Sequence, residues 1–330
     1  MSADQPTVRH LTVDAETAGQ RLDNFLVRVL KGAPKSLIYR IIRSGEVRVN
    51  KARARAETRL AAGDVVRVPP LRLAPAPAAG QAAVHVPARA FEVLYEDDWL
   101  LALDKPAGVA VHGGSGVAHG VIEQLRRARP QAPLLELVHR LDRETSGVLL
   151  VAKKRSALKA LQDQFRQRST GKTYLALVRG AWPARRKVID VPLQRYLLPD
   201  GERRVRVVAP DDPQGQRALS LVRLRGTVAP PPACAAPADA VASLLEVTIK
   251  TGRTHQIRVH LAHAGHPIAG DDKYGDFAWN RALARCGLGR MFLHAWRLTI
   301  RHPAEDRTLA LEAPLPAELR NWGDVARLLE

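Results

Sequence analysis

The first periodic stretch of the chain places Leu22, Phe25, Leu26, Val29 and Leu30 on one helical face, and Gly32 ends the run. Ser36 reads as the N-cap of a second helix, with Leu37, Ile38, Ile41 and Ile42 inward and Ser44-Gly45 as its stop. Alternation over residues 46–50 and 64–68 predicts two short strands. Residues 20–72 therefore read as a small two-helix module. An extension, 1–19, precedes it, and a Pro/Ala-rich linker without apolar periodicity, 73–89, follows.

Over 90–325 the pattern becomes that of a larger domain. Strands are expected at 91–95, 99–104, 148–152, 172–178 and 292–300, with helices over 156–168 and 253–264, the latter opening near a threonine cap. Two more strand-like runs, 219–224 and 244–249, flank an irregular stretch, 226–242, read as a long surface loop that carries an exposed Cys234. Short strands with interspersed helices indicate an α+β fold with mainly antiparallel pairing rather than a doubly wound sheet.

Composition narrows the class. With 330 residues, 46% of them apolar, the chain can bury a sizeable core. The formal charge is +18, and residues 21–72 hold thirteen Lys or Arg against four Asp or Glu, which is half of that excess in about a sixth of the chain. A polyanion is the expected partner, nucleic acid before a membrane surface. Two cysteines make no disulfide framework, so a reduced compartment is expected, with Cys286 a small buried hydrophobe. No signal peptide and no membrane-spanning run is visible, so a cytoplasmic, nucleic-acid-facing protein is expected.

The segment His139-Arg140-Leu141-Asp142-Arg143-Glu144-Thr145-Ser146-Gly147 carries the densest chemistry, packed into a turn before an apolar strand. A carboxylate of ordinary pKa, about 3.9, is ionised at neutral pH, and neighbouring arginines favour that form. It suits a nucleophile or a base rather than a general acid. His255, His260, His263 and His266 crowd one segment, but zinc needs three or four ligands and no Cys pair is near, so no metal site is expected there. Solvated or RNA-facing histidines are expected instead.

HRLDRETSGVLLVAKK (139–154) resembles the catalytic motif of the RluA-type pseudouridine synthases. LDKPAGVAVHGG (103–114), GKTYLALVRG (171–180) and TGRTHQIRVHLAHAGHPIAGDDKYG (251–275) resemble further segments of that family in the same order. The module at 20–72 resembles the S4 RNA-binding domain through QRLDNFL, SLIYRIIRSGEVRVN and LAAGDVVRVP. The likeness implies a small S4-like domain plus a larger synthase domain built on an antiparallel mixed sheet with flanking helices. It implies that Asp142 is the catalytic carboxylate, that Arg253 pairs with it, and that Tyr174 stacks on the target base. Arg140 would help fill the space of the extruded nucleotide, with His139 and Thr145 beside the substrate. In the S4 module, Lys35, Arg40, Arg43, Arg48, Lys51, Arg53 and Arg55 would contact RNA. The implied reaction converts specific uridines to pseudouridine in large-subunit ribosomal RNA, around the peptidyl transferase region. It needs no cofactor, and no obligate protein partner is inferred. A synthase acting on transfer RNA and a non-catalytic ribosome-assembly factor are the alternatives.

Overall fold

The computed structural model describes residues 7–14, 17–30, 33–71, 86–113, 119–229, 231 and 241–329. The chain divides into two units, Met1–His85 and Val86–Glu330. The expected linker at 73–89 lies mostly outside the described residues, as does Cys234.

The first unit contains β1 (Arg9–Thr12), α1 (Leu22–Val29), α2 (Lys35–Arg43), β2 (Arg48–Val49), β3 (Ala52–Arg53) and β4 (Val65–Val68). Its sheet order is β1-β4-β2-β3. The stretch expected as an extension therefore supplies a strand, with Arg9 opposite Val68 and Thr12 opposite Val65. The core joins Leu22, Phe25 and Leu26 of α1 to Ile38, Ile41 and Ile42 of α2 and to Val66 and Val68. Ser36 is not the cap. Pro34 holds the N-cap position at φ −59°, and α2 starts one residue before Ser36. Proline fixes the entry angle without a capping side chain.

The second unit contains β5 (Glu92–Glu96), β6 (Leu100–Lys105), α3 (Val121–Ala128), β7 (Glu136–Leu137), β8 (Ser146–Ala152), α4 (Arg155–Gln167) and β9 (Gly171–Arg179). It continues through β10 (Val188–Asp190), β11 (Leu193–Leu197), β12 (Arg203–Val207), β13 (Leu219–Val228), β14 (Ala242–Ile249) and α5 (Gln256–His263). It ends with α6 (Phe277–Arg285), β15 (Leu293–Arg301), β16 (Thr308–Glu312) and α7 (Ala317–Arg320). The main sheet runs β10-β13-β14-β9-β15-β8-β6-β5, with β16 on β15 and β7 on β8. The β15/β8 pair is parallel, and the other described pairs of this sheet are antiparallel. The fold is α+β, as the pattern indicates.

β8 explains its own sequence. All seven residues of SGVLLVA are buried, because both faces of this central strand are covered. Val148, Leu150 and Ala152 pack with Ala157, Leu158 and Leu161 of α4. Leu149 and Val151 pack with Val121, Ile122 and Leu125 of α3. Gly147 is required where β8 meets β15: its φ is +108°, and a Cβ would lie 2.2 Å from the Ala295 carbonyl oxygen.

Two expectations need correction here. β13 and β14 extend as a pair to Val228 and from Ala242, with an irregularity between Leu224 and Gly226, so the loop is shorter than 226–242. Cys286 is half-buried at the end of α6 rather than buried, and is not a free thiol.

Candidate active site

Asp142 lies in the turn between β7 and β8, and the turn is held from several sides. Leu141 is buried in the cluster that contains α3. The Thr145 amide donates to the Asp142 carbonyl at 3.1 Å, and Thr145 itself is buried. Ser146 Oγ meets Arg290 Nη2 at 2.7 Å and His294 Nδ1 at 2.9 Å. Lys105, fully buried, donates from Nζ to the carbonyls of Pro106, Val109 and Arg143 at 2.8, 2.7 and 3.0 Å. Burial pulls its amine down to about 7. The ammonium ties the end of β6 to the Asp142 turn.

His139 belongs to this scaffold as well. Its Nε2 accepts the Leu150 amide at 3.1 Å, and its ring stacks on Phe165 at 4.8 Å between centroids. Burial lowers the imidazole to about 4, so it stays neutral at physiological pH.

The guanidinium that faces the Asp142 carboxylate is that of Arg258. Its Nη1 lies 3.6 Å from Asp142 Oδ2. Arg253, expected in that role, instead donates from Nε to the Arg217 carbonyl at 3.1 Å. The start of α5 decides this. No threonine caps it; His255 is the N-cap, in the left-handed region at φ 52°. Gln256 Oε1 accepts the Arg253 amide at 3.1 Å and the Thr251 hydroxyl at 2.7 Å. Arg253 is thus left before the helix, while Arg258 occupies its first turn and is buried.

Arg258 is held by a second carboxylate. Its Nε and Nη2 donate to Asp271 at 2.7 and 2.6 Å, and Nη2 also reaches Asp272 at 3.0 Å. This forked pairing leaves Nη1 for Asp142. Burial opposes the charge on Arg258, but the bonds and field of Asp271 outweigh it and keep the group protonated. Asp271 also accepts the amides of Lys273 and Tyr274 at 2.8 and 3.0 Å. His255 completes the cluster: Nε2 is 3.9 Å from Asp142 Oδ2, and Nδ1 meets the Tyr274 hydroxyl at 2.8 Å.

The sequence pattern did not single out Arg258, Asp271 or Tyr274, and it offered His255 only as one of the crowded histidines. The available signal was an arginine among the apolar residues of QIRVHL, with two adjacent acids thirteen and fourteen positions on.

Tyr174 stands on β9 opposite Val247 and lines a cavity of about 250 Å³ with His139, Arg140, Asp142, Thr145, Arg253 and Arg258. Burial, and then the charge of Asp142, push its phenol above the usual range, so it remains protonated. The side chain of Asp142 is 21% exposed. It also borders a second cleft of about 490 Å³, shared with Arg140, His255 and Arg258. Arg140 is exposed and is in no ion pair among the described residues. Lys172 is buried on the wall of the first cavity with its Nζ 5.7 Å from the centre of the Phe165 ring, and burial lowers its pKa.

The crowded histidines divide: His255 faces the clefts and His263 is exposed, whereas His260 and His266 are tied into the fold. His260 is fully buried between Ser220 Oγ at 3.0 Å and the Val191 carbonyl at 3.2 Å. His266 Nδ1 faces the Arg179 carbonyl at 2.8 Å.

In the first unit, Arg40, Arg43, Arg48, Lys51, Arg53 and Arg55 are exposed. The side chain of Lys35 lies outside the described set. Arg43 and the hairpin arginines Arg53 and Arg55 gather around one groove with Tyr39.

The site thus brings together a carboxylate held by a buried guanidinium and an aromatic ring, in a cleft with arginines at its rim, an arrangement suited to carboxylate chemistry on a polyanion. Comparison with known proteins makes the class specific. The model of the RNA pseudouridylate synthase family matches residues 99–263, and that of the S4 domain matches residues 20–66. The chain is 51% identical over 323 residues to ribosomal large subunit pseudouridine synthase C of Yersinia pestis, covering 97% of this chain and 96% of that one. It is 49% identical to the protein of that name from Escherichia coli (strain K12), covering 97% of each. The solved structure of human RNA pseudouridylate synthase domain containing 1 superposes with a TM-score of 0.57 at 26% identity, over 71% of this chain and 88% of that one. This chain belongs to the RNA pseudouridylate synthase family and is an enzyme of that family with an S4 domain in front.

Proposed function

We propose that this protein isomerises specific uridines of large-subunit ribosomal RNA to pseudouridine, with Asp142 as the reacting carboxylate. The reaction replaces the N1–C1′ bond by a C5–C1′ bond. Atoms and redox state are conserved, so the chemistry calls for no cofactor. Asp142 acts either by attack on C1′ or by taking the C2′ proton. Arg258 is a positioning residue that holds the carboxylate. Tyr174 supplies a face for the everted base, and Arg140 fills the gap left in the RNA. Lifting a base from its stack costs a few kcal/mol, which those two contacts offset. Arg253, His139 and Thr145 border the nucleotide, with Arg253 placed for a phosphate. The S4 arginines and lysines hold the RNA backbone. Action on ribosomal RNA is in keeping with a cytoplasmic enzyme. Among the described residues no helix is long and apolar enough to cross a membrane.

The observation that carries this reading is the 3.6 Å approach of buried Arg258 to the partly exposed Asp142 carboxylate at the junction of two clefts. Asp142→Asn removes the charge and keeps the shape. Release of tritium from 5-tritiated uridine in ribosomal RNA is expected to cease while RNA binding persists. Release at the wild-type rate overturns the assignment. Mapping carbodiimide-reactive sites in ribosomal RNA from cells with and without the protein identifies the uridines.

A further inference from the structure

The first unit presents an aromatic ring that its own fold leaves partly uncovered. Tyr39 of α2 is 42% exposed, yet its position is fixed. Its hydroxyl donates to Asp23 Oδ2 at 3.0 Å. Asp23, 7% exposed in its side chain, is itself held by Arg21 at 3.1 and 2.7 Å and by the Asn24 amide at 2.8 Å. The ring is thus anchored at its polar end while much of its surface stays open.

What adjoins the ring is chemically uneven. Tyr39 lines a groove of about 450 Å³ with Ile42, Ala54 and Ala56, and with the exposed arginines Arg43, Arg53 and Arg55. One acid, Glu57, shares the groove. Arg53 donates from Nη2 to the Ser44 carbonyl at 3.0 Å, which holds the β2–β3 hairpin against the end of α2. None of the three guanidiniums is paired with a carboxylate among the described residues, whereas Arg21 is. An apolar floor, an anchored aromatic ring and three unneutralised forks match the two halves of a nucleotide, a flat base and an anionic phosphate. A ring already fixed loses little freedom on binding.

We propose that this groove is a seat for one unstacked nucleobase of single-stranded RNA, the base on Tyr39 and its flanking phosphates on Arg43, Arg53 and Arg55. The proposal rests on the RNA-binding reading of the S4 unit and adds to it. Phosphate contacts alone do not distinguish looped from paired RNA, whereas a stacking seat does, because a duplex keeps its bases buried in the stack. The unit therefore selects an open segment of the substrate.

The test uses the full chain and fluorescence anisotropy with a labelled oligouridylate and a labelled blunt RNA duplex over a salt series. Tyr39→Leu is expected to weaken oligouridylate binding by about tenfold, with duplex affinity and salt slope unchanged, since no charge is lost. Tyr39→Phe, which keeps the ring, is expected to lose less. The triple variant Arg43→Gln, Arg53→Gln, Arg55→Gln is expected to weaken both RNAs and flatten the salt slope. If the arginine set matters and Tyr39→Leu binds like wild type, or loses both RNAs equally, the seat is overturned and the RNA-binding reading stands. If the triple variant changes nothing, the RNA-binding reading itself fails. Photocrosslinking of a 5-iodouridine oligomer to the unmodified protein avoids any folding defect in the variants. A crosslinked peptide containing Tyr39 is expected, and crosslinks confined to other peptides overturn the seat.

Discussion

At the scale of single residues, two arginines five positions apart have different work. Arg258 shares its guanidinium between Asp271 and Asp142, while Arg253 is bonded to a backbone carbonyl at the cavity edge. Arg258→Lys keeps the charge but loses the forked geometry that aims it. Its single-turnover rate at saturating RNA is expected to fall by about 10²-fold, the usual consequence of a misplaced reacting group. Arg253→Gln is expected to weaken RNA binding while leaving that rate near wild type. Single-turnover kinetics across RNA concentrations separate the two; a rate collapse confined to Arg253→Gln would reverse the assignment. The motifs singled out Asp142 and Tyr174, which the fold brings to one cavity. The choice between the two arginines was not legible there, because it depends on where α5 begins, and His255 in a left-handed conformation sets that point.

At the scale of elements, the site depends on how β8 joins β15. The parallel pairing of Ser146 with His294 and of Gly147 with Ala295 brings the end of the Asp142 turn against the strand that also borders β9, which carries Tyr174. Gly147 permits that approach. Gly147→Ala introduces both a strained backbone and a clash with the Ala295 carbonyl, and is expected to cost roughly 3–5 kcal/mol. Urea denaturation should show this as a lowered midpoint with an unchanged slope; an unshifted midpoint contradicts the packing described. The strand itself was readable as a continuous apolar run. Its neighbours were not, since SGVLLVA specifies burial on both faces without saying that α3 covers one and α4 the other. The short pairs β10, β11, β12 and β16 also went unread, being brief segments whose pairing depends on distant partners.

At the scale of the whole molecule, buried imidazoles couple stability to pH. Burial holds His139, His260 and His294 at about 4. In the unfolded chain such rings take up a proton near about 6.5. Between those limits the unfolded state binds more protons, so stability is full above the upper value and falls as pH drops toward the lower one. Asp97 adds to this at lower pH. Burial opposes its charge, but hydrogen bonds from Tyr95, the Leu100 and Trp99 amides and His302 bring it down to about 2, and that contribution is lost as pH falls from about 3.9, the unfolded value, toward the folded one. The thermal midpoint is expected to decline steadily from pH 7 to about pH 4. A midpoint that stays level over that window would show that these rings are not held neutral.

The sequence by itself determined the basic two-helix module, the apolar strand behind Asp142, the mainly antiparallel α+β class and the motifs that carry Asp142 and Tyr174. Each is a local matter of periodicity, charge density or a contiguous motif. Tertiary structure decided which guanidinium faces Asp142, that Lys105 pins its turn through the Arg143 carbonyl, that His260 is buried instead of solvated, and that Tyr39 is anchored beside three arginines. These are contacts between residues far apart in the chain or across a helix start, and their energies depend on distance and burial, which exist only once the sheet has closed around them.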